Sequence, residues 1–494
     1  MPLGAAWPRN PIIYEVNTWA WLREVGLRAG GKRVALGAVP DAEWDALAGW
    51  KPDAVWLMGV WERSPEGRRI ALANEELVRS FHEALPDLRP DDDIVGSPYC
   101  IRGYAVDARL GGPAGLAKAR AQLAQRGIRL VLDLVPNHVA PDHPWTREAP
   151  EYFVRGGEDE AARSPEAFLR VGGAVLARGR DPYFPPWPDV VQLDAFSPGY
   201  RNALTSTLSE IAGQCDAVRA DMAMLLVNRV FARTWGARVG PAPATELWKE
   251  VLAEVRRRSP GFRFLAEAYW EMEWELQQLG FDFCYDKRLY DRMVEGSGEG
   301  VMQHLRAGLD YQERLVRFIE NHDEPRAAAA LGPRSRAAAV AVATLPGARL
   351  FHEGQFEGRK VRLPVFLARR PEEPVAPALP GFYRKLLAEA AHPVYREGAF
   401  ATCELHGWED NRSYRNLAAW CWKLGDERRL VVVNLGPARS QALVRVPWPE
   451  VAGRSWRLED ALDGTAFDRA GADLAGPGLF VDLEAGAWHL VTLR

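Results

Sequence analysis

The chain has 494 residues, of which 47% are hydrophobic and 26% charged, and its net charge is -4. This length and composition predict a globular protein with a large core and more than one domain. Acidic and basic residues are mixed along the chain, which argues against a nucleic-acid partner. The opening residues MPLGAAWPRNP lack the pattern of a secretion signal and no apolar run could span a membrane, so we expect a cytoplasmic protein without a membrane partner. Five scattered cysteines argue against a disulfide framework and a zinc site.

Apolar runs alternate with helical patterns over most of the chain. We predict eight strands, with the sequences IIYEVN, AVWLMGVW, IRLVLDLVP, AVRAD, FRFLAEA, FDFCY, RLVRFIE and ARLFHE. Helices are predicted between them, for example from Gly115 to Gln125 and after Ser197, an N-cap followed by proline. Nearly continuous apolar runs such as IRLVLDLVP are typical of strands buried on both faces, as in parallel sheets. Eight such strands with intervening helices predict an α/β fold, a closed (β/α)8 TIM barrel.

Two regions interrupt this alternation. Residues 139–196 are rich in proline, glycine and charge, and they are too many for an ordinary connecting loop. From about residue 396 the helices give way to alternating runs such as LAAWCWKL and RLVVVNLG, which predict an antiparallel β-sandwich. We therefore predict a barrel formed by residues 1–138 and 197–395, a small inserted domain at 139–196 after strand three, and a C-terminal sandwich at 396–494.

Four segments carry polar residues where predicted strands end. They are LVLDLVPNHV with Asp133, Asn137 and His138, DAVRADMAML with Arg219 and Asp221, FRFLAEAYWE with Glu267, and RFIENHDEPR with His322 and Asp323. The carboxyl ends of parallel barrel strands open onto one face, so we expect these side chains to converge. In type and order the segments resemble the motifs of the alpha-amylase family of retaining glycoside hydrolases and transglycosylases, which follow barrel strands three, four, five and seven.

The resemblance implies a catalytic role for each of three carboxylates. Asp221 would be the nucleophile, Glu267 the general acid/base, and Asp323 a third carboxylate that binds two sugar hydroxyls. Arg219 lies two residues before Asp221 and points to the same side of the strand, so its charge should keep Asp221 ionised. Glu267 stands between the apolar Leu265 and an aromatic residue, and such surroundings should raise its pKa, as an acid needs.

Tyr99, His138, Arg219 and His322 are the predicted substrate-binding residues. The resemblance implies that the two histidines donate hydrogen bonds to hydroxyls of one sugar. Tyr99, in GSPYCIRGYAVD, matches a segment of the family that supplies a ring stacking on the sugar, with core packing as the alternative.

Two further polar residues near the end of strand three are predicted to have supporting roles. Asp133 is expected to pair with Arg219 and not to touch substrate. Asn137 matches a position that often binds a structural calcium in the family, and a plain turn-forming asparagine is the alternative. No cofactor or metal is expected to be required for the chemistry.

The chain departs from the family pattern after the nucleophile. Met224 and Leu225 occupy positions where many starch-cleaving members carry a Lys-His pair. We expect them to line the acceptor side of the site or to lie just behind it, with packing against the next helix as the alternative. Tyr183, Phe184 and Trp187 are interpreted either as a rim for longer glucans or as a small core of the insertion.

The resemblance implies an enzyme that acts on short alpha-glucans or alpha-linked disaccharides, with a small carbohydrate as its partner. Transfer of a glucosyl or maltosyl unit to an acceptor other than water, including phosphate, is the alternative. A catalytically inactive relative used as a binding protein is a second alternative, but such a relative should have lost a carboxylate or Arg219, and all are present. A metal-dependent lyase on an unrelated barrel would need a metal cluster or a glycine-rich phosphate loop, and the sequence has neither.

Overall fold

Eight parallel strands close into a barrel in the computed structural model, which describes residues 6–31 and 33–494. In chain order the barrel strands span Ile12–Asn17, Ala54–Met58, Arg129–Leu134, Ala217–Ala220, Arg263–Ala266, Phe283–Tyr285, Leu315–Arg317 and Ala348–His352. The eighth strand returns to pair with the first, where Ile12 faces Arg349 in the register. The predicted (β/α)8 barrel is therefore confirmed, with all eight strands formed by the apolar runs identified in the sequence.

The barrel interior is a packed core. One cluster of buried side chains draws on all eight strands, with Trp56, Val131, Leu265 and Leu350 among its members. Alternate residues of each strand point outward and pack beneath the surrounding helices, as Leu130 and Leu132 do. Continuous apolar runs were the correct signal for these strands because both faces are covered.

Helices surround the barrel and connect its strands. Those of eight residues or more span Thr18–Arg28, Asp41–Ala48, Pro65–Ala73, Glu75–Ala84, Gly112–Gln125, Pro198–Ala212, Asn228–Trp235, Leu247–Arg258, Lys287–Glu295, Ser335–Thr344 and Leu379–Ala390. Shorter α-helices span Pro90–Asp93, Trp145–Glu148, Glu158–Arg163, Glu273–Leu279, Gly298–His304, Leu309–Gln312, Ala327–Ala330, Val394–Glu397 and Gly471–Ala475. The predicted cap is confirmed, because the Ser197 side chain accepts a hydrogen bond from the Tyr200 amide. Among the helices of the described ranges, none is long and apolar enough to cross a membrane.

Short antiparallel pairs lie outside the barrel. Trp61–Arg63 pairs with Ile101–Val106 after barrel strand two. Within the long excursion after strand three, Phe168–Val171 pairs with Ala174–Ala177. A second pair joins His138–Val139 to Val191–Gln192, so the far end of the excursion is hydrogen-bonded back to the segment that leaves the barrel.

The last part of the chain forms two antiparallel sheets. The six-stranded sheet contains, in spatial order, Ala399–Thr402, Leu417–Leu424, Glu427–Asn434, Trp488–Leu493, Ser455–Asp460 and Ala466–Ala470. The three-stranded sheet contains Glu404–His406, Ser440–Arg445 and Leu479–Leu483. Buried residues of both sheets, including Val432 and Val444, form a common core. The exact boundaries of the three predicted domains remain a prediction. All five cysteines are buried and free.

Candidate active site

The carboxyl ends of the barrel strands surround a cavity of about 410 Å³. Asp221 directly follows strand four and Glu267 directly follows strand five, whereas Asp323 lies in the loop after strand seven. The residues that line this cavity are Ser97, Tyr99, His138, Trp187, Asp189, Val190, Asp221, Met222, Glu267, Tyr269, Asp323 and Phe366. The expected convergence of the three carboxylates is thus observed.

Arg219 holds the three carboxylates together from beneath the cavity. Its Nη1 donates to Asp221 Oδ1 at 2.6 Å, and its Nη2 lies 2.8 Å from Glu267 Oε2 and 3.8 Å from an oxygen of Asp323. The predicted contact with Asp221 is present. Arg219 itself is 0% exposed, however, and it is not among the residues that line the cavity. Its ion pairs in the described part of the chain are with the three carboxylates, and its binding of substrate stays a prediction.

Burial sets the protonation of the two central carboxyls. Burial raises the pKa of Glu267 to about 7, because it outweighs the opposing charge of Arg219, and Asp221 and Asp323 add to the increase. The predicted increase for Glu267 is confirmed. Burial also raises the pKa of Asp221, even though Arg219 lowers it by charge and hydrogen bond. The sequence-based expectation that Arg219 governs the ionisation of Asp221 therefore underestimated the cost of desolvation.

Two residues near the carboxylates orient Glu267. The Met222 amide donates to Glu267 Oε2 at 2.7 Å, and the Tyr269 hydroxyl donates to Oε1 at 3.1 Å. Met222 has φ 46° and ψ 42°, a left-handed conformation that is costly for a residue with a long side chain. Met222 directly follows Asp221 in the sequence, and its left-handed conformation directs its backbone amide toward Glu267.

His322 links Asp323 to the first barrel strand. Its Nδ1 lies 2.5 Å from Glu15 Oε1, and its Nε2 lies 3.0 Å from Asp323 Oδ2 and 2.6 Å from the Tyr99 hydroxyl. Burial alone would lower the pKa of His322, but Asp323 and Glu15 together hold it well above its usual value. Burial opposes ionisation of Asp323, yet His322 and Arg219 bring the pKa of Asp323 down to about 2.

The prediction that both histidines donate to the sugar stays a prediction, and the structure shows the protein partners of their ring nitrogens. His322 is 3% exposed and does not line the cavity, and both of its ring nitrogens already face protein partners. His138 does line the cavity, but its Nε2 donates to the Tyr99 carbonyl at 3.1 Å and its Nδ1 accepts from Asn137 at 3.2 Å. Burial lowers the pKa of His138 to about 4, so the ring is neutral and its one N–H points to the Tyr99 carbonyl.

Asp133 supports the barrel end in a different way from the one predicted. It is the register partner of Arg219, but the two side chains form no ion pair in the described part of the chain. Its carboxylate accepts from the Trp56 indole at 3.2 Å and from the Gly59 amide at 2.9 Å. Burial raises the pKa of Asp133 to about 6, and the nearby charge of Arg219 acts in the opposite direction.

Asn137 does not fit the calcium role. Its Oδ1 accepts from Gln192 Nε2 at 2.9 Å, and its Nδ2 lies 3.3 Å from Gln192 Oε1. Both side-chain amides are buried and hydrogen-bonded to each other. A calcium ion would need six to eight oxygen ligands. Across residues 6–31 and 33–494, no group of three or more His, Cys, Asp or Glu is arranged to hold a metal ion.

Met224 and Leu225 are not among the residues that line the cavity. They are 0% and 3% exposed and belong to a short 3-10 turn packed into the core, which agrees both with a place just behind the acceptor side and with packing against the next helix. Met222 is the residue of this segment that lines the cavity.

The aromatic residues of the insertion divide between cavity and surface. Trp187 lines the cavity, and its ring is inclined at 64° to that of His138, with 5.3 Å between the centroids. Tyr183 and Phe184 are 57% and 68% exposed, which excludes a buried core for them. Tyr183 contacts Trp270 at a centroid distance of 5.0 Å, and Trp270 directly follows the cavity residue Tyr269.

Several site residues escaped the sequence analysis. Glu15 could have been found, since it is a lone charged residue in the apolar run IIYEVN. Tyr269 is the aromatic residue identified beside Glu267, and only its hydrogen bond was missed, although a spacing of two places both side chains on one side of an extended chain. Asp189 and Phe366 carry no local signal, because they reach the cavity from irregular segments far away in the sequence.

The amino-acid sequence is similar to those of several known proteins. No protein-family model matches the chain. The chain is 25% identical over 370 residues to alpha-amylase MalA of Haloarcula japonica, which covers 72% of this chain and 45% of that protein. It is 26% identical over 205 residues to an alpha-1,4-glucan:maltose-1-phosphate maltosyltransferase of Pseudomonas aeruginosa, covering 40% and 26% respectively. The chain thus spans less than half the length of the curated relatives it matches.

The fold is similar to that of a solved alpha-amylase structure. The maltogenic alpha-amylase AmyB of Thermotoga neapolitana superimposes with a TM-score of 0.70 at 18% identity, over 98% of this chain and 99% of that one. At this identity the likeness concerns the fold alone. The similarity to a curated alpha-amylase and to a curated maltosyltransferase confirms the resemblance to the alpha-amylase family inferred from the four motifs.

Proposed function

We propose that the protein is a retaining enzyme acting on alpha-linked glucosides, with short alpha-glucans or alpha-linked disaccharides as substrates. Asp221 is the nucleophile, Glu267 the general acid/base, and Asp323 the carboxylate that binds sugar hydroxyls. The observation that carries this proposal is the shared guanidinium of Arg219, which bonds both Asp221 and Glu267 at the cavity floor. Sharing one planar group keeps the two carboxyls close, as the ~5 to 5.5 Å separation of a retaining pair requires.

The reaction follows from the hydrogen bonds of each group. Asp221 Oδ1 is held by Arg219, and no donor in the described ranges occupies Oδ2, which is left to attack the anomeric carbon. Glu267 gives its proton to the departing glycosidic oxygen, and a covalent glycosyl ester forms on Asp221. Glu267 then takes a proton from the acceptor, which displaces Asp221 and restores the free enzyme. A pKa of about 7 suits a group that must act as acid and then as base.

Transfer to a second sugar is the other candidate outcome of the same chemistry. The maltosyltransferase relatives favour it, as do the apolar side chains of Met222, Val190 and Phe366 in the cavity lining. Four carboxylates line this cavity, whereas no lysine or arginine is among its lining residues in the described part of the chain. Such a lining repels anions, so we propose water or a neutral sugar, and not phosphate, as the preferred acceptor.

A product screen tests the proposal. Maltose, maltoheptaose, sucrose and trehalose are each incubated with the protein, with and without added phosphate, and the products are separated by chromatography. We expect glucose or rearranged oligosaccharides from at least one alpha-linked substrate, with retained anomeric configuration by NMR. Asp221→Asn is the matched control and should yield no product. Inversion of configuration, or equal activity of Asp221→Asn, would contradict the proposal.

A further inference from the structure

Asp189 is a fourth carboxylate in the catalytic cavity, and the proposed chemistry does not use it. It lines the same space as Asp221, Glu267 and Asp323, but it comes from the insertion and not from a barrel strand. Its side chain is half-buried and, within the described ranges, receives no hydrogen bond from another residue and forms no ion pair. A carboxylate withdrawn from water without a partner is costly, so a ligand that donates hydrogen bonds to it would offset that cost.

The backbone around Asp189 is firmly anchored. The Cys100 thiol donates to the Asp189 carbonyl at 3.0 Å, and the Gly179 amide donates to the next carbonyl, that of Val190. Cys100, Ala140 and Val190 form a small buried cluster against which Trp187 packs. Asp189 therefore has a defined position in the cavity wall, as a residue that selects a substrate requires.

Within the described ranges, two polar neighbours of Asp189 on this wall, His138 and Tyr99, are already engaged with protein groups. Both nitrogens of His138 are engaged with protein groups, and the Tyr99 hydroxyl lies against His322. Trp187 contributes an aromatic ring to the same wall. An apolar ring face beside a carboxylate fits a pyranose, whose C–H groups pack on the ring while its hydroxyls donate to the carboxylate oxygens.

We propose that Asp189 is a specificity-determining residue that accepts hydrogen bonds from one or two hydroxyl groups of the sugar bound in the cavity. The inference rests on the proposed function, because it takes an alpha-glucoside as the ligand. It assigns to Asp189 the recognition of hydroxyls on a wall where both nitrogens of His138 already contact protein groups. Burial raises the pKa of Asp189, and it outweighs the opposing charge of Arg178, with which Asp189 forms no ion pair in the described part of the chain.

The test combines variants of Asp189 with deoxygenated substrates. kcat/KM is measured for an aryl alpha-glucoside and for its 2-, 3-, 4- and 6-deoxy analogues, using wild type, Asp189→Ala, Asp189→Asn and the exposed control Glu151→Ala. Asp189→Ala should lower kcat/KM for the parent glucoside by roughly 10- to 150-fold, the usual worth of a hydrogen bond to a charged group. For the analogue that lacks the contacted hydroxyl, Asp189→Ala and wild type should be nearly equal. Asp189→Asn keeps an acceptor oxygen and should recover part of the activity.

Each outcome separates the two proposals. A wild type that cleaves the parent glucoside, with Asp189→Ala equally active, would overturn the role of Asp189 and leave the proposed function intact. A uniform loss on the parent and every analogue would also overturn it, since that pattern indicates a purely structural effect. If circular dichroism shows that Asp189→Ala does not fold, the same comparison is made with Asp189→Asn. A hydroxyl contact predicts that Asp189→Asn loses activity on the parent glucoside but not on the analogue that lacks the contacted hydroxyl. A wild type without activity on any alpha-glucoside would refute the proposed function itself.

Discussion

Replacing Glu267 by glutamine should lower the rate of catalysis and raise the free energy of unfolding. Burial moves the pKa of Glu267 from 4.5 to about 7. An acid whose pKa is higher in the folded chain binds more protons when folded between these two values, so the free energy of unfolding falls as the pH rises through this window. Above about pH 7 the loss is complete, and a shift of this size corresponds to about 3 kcal/mol.

Glutamine carries no charge at any pH, so Glu267→Gln avoids this loss. We expect the variant to be more stable than wild type by up to about 3 kcal/mol near pH 8, and to have no such advantage near pH 4. With an unfolding entropy of ~2.1 cal/mol/K per residue, the gain in a chain of 494 residues corresponds to about 3 °C in Tm. Turnover of a natural glucoside should fall by ~10²- to 10⁴-fold, the usual worth of a positioned acid.

Thermal unfolding of both proteins from pH 4 to pH 8 measures the effect. The exposed control Glu151→Gln should follow wild type at every pH. The reasoning would be refuted if Glu267→Gln were less stable than wild type at pH 8, because the ion pair with Arg219 would then outweigh the cost of burial. A difference in Tm that does not change with pH would also refute it, since the ionisation of Glu267 could not be its cause.

Three further predictions follow from the corrected site. Trp270→Ala should lower kcat/KM for maltoheptaose by ~10-fold and leave kcat/KM for an aryl glucoside unchanged, because Trp270 is exposed beside the cavity. The control is Trp274→Ala, and equal losses of Trp270→Ala on both substrates would contradict a role of Trp270 in binding longer glucans. EDTA should leave both Tm and activity unchanged, because Asn137 is engaged by an amide; a lower Tm restored by calcium would contradict this. Met224→Lys should destabilise the fold by several kcal/mol without a specific change of acceptor, because the new lysine places a charge in the core. A stable variant with altered products would contradict this prediction.

Much of this fold could be predicted because each barrel strand carries its own signal. The apolar runs that form strands are buried on both faces, so a single local pattern identifies each of them. The four motifs stand where those strands end, which is enough to bring Asp221, Glu267 and Asp323 to one cavity. The raised pKa of Glu267 was predictable as well, because a residue next to a buried strand loses its water.

The hydrogen-bond partners of the histidines could not be predicted, because they come from distant segments of the chain. His322 is held by Glu15, which is 307 residues away in the chain, and His138 by a carbonyl 39 residues away. A sequence motif identifies a residue type at a strand end but does not tell which hydrogen-bond partners it has already found. Asp189 escaped for the same reason, since only the folded insertion brings it to the barrel end.

The most direct test of the account is to trap the covalent intermediate and identify the residue that carries it. The protein is incubated with a mechanism-based fluorinated alpha-glucosyl fluoride, digested, and sequenced by mass spectrometry. We predict a single glycosylated peptide with the sugar on Asp221, formed in wild type and absent in Asp221→Asn. A label on Asp323 or Glu267, or turnover of a natural glucoside with inversion of configuration, would contradict the central claim that Asp221 is the nucleophile of a retaining enzyme.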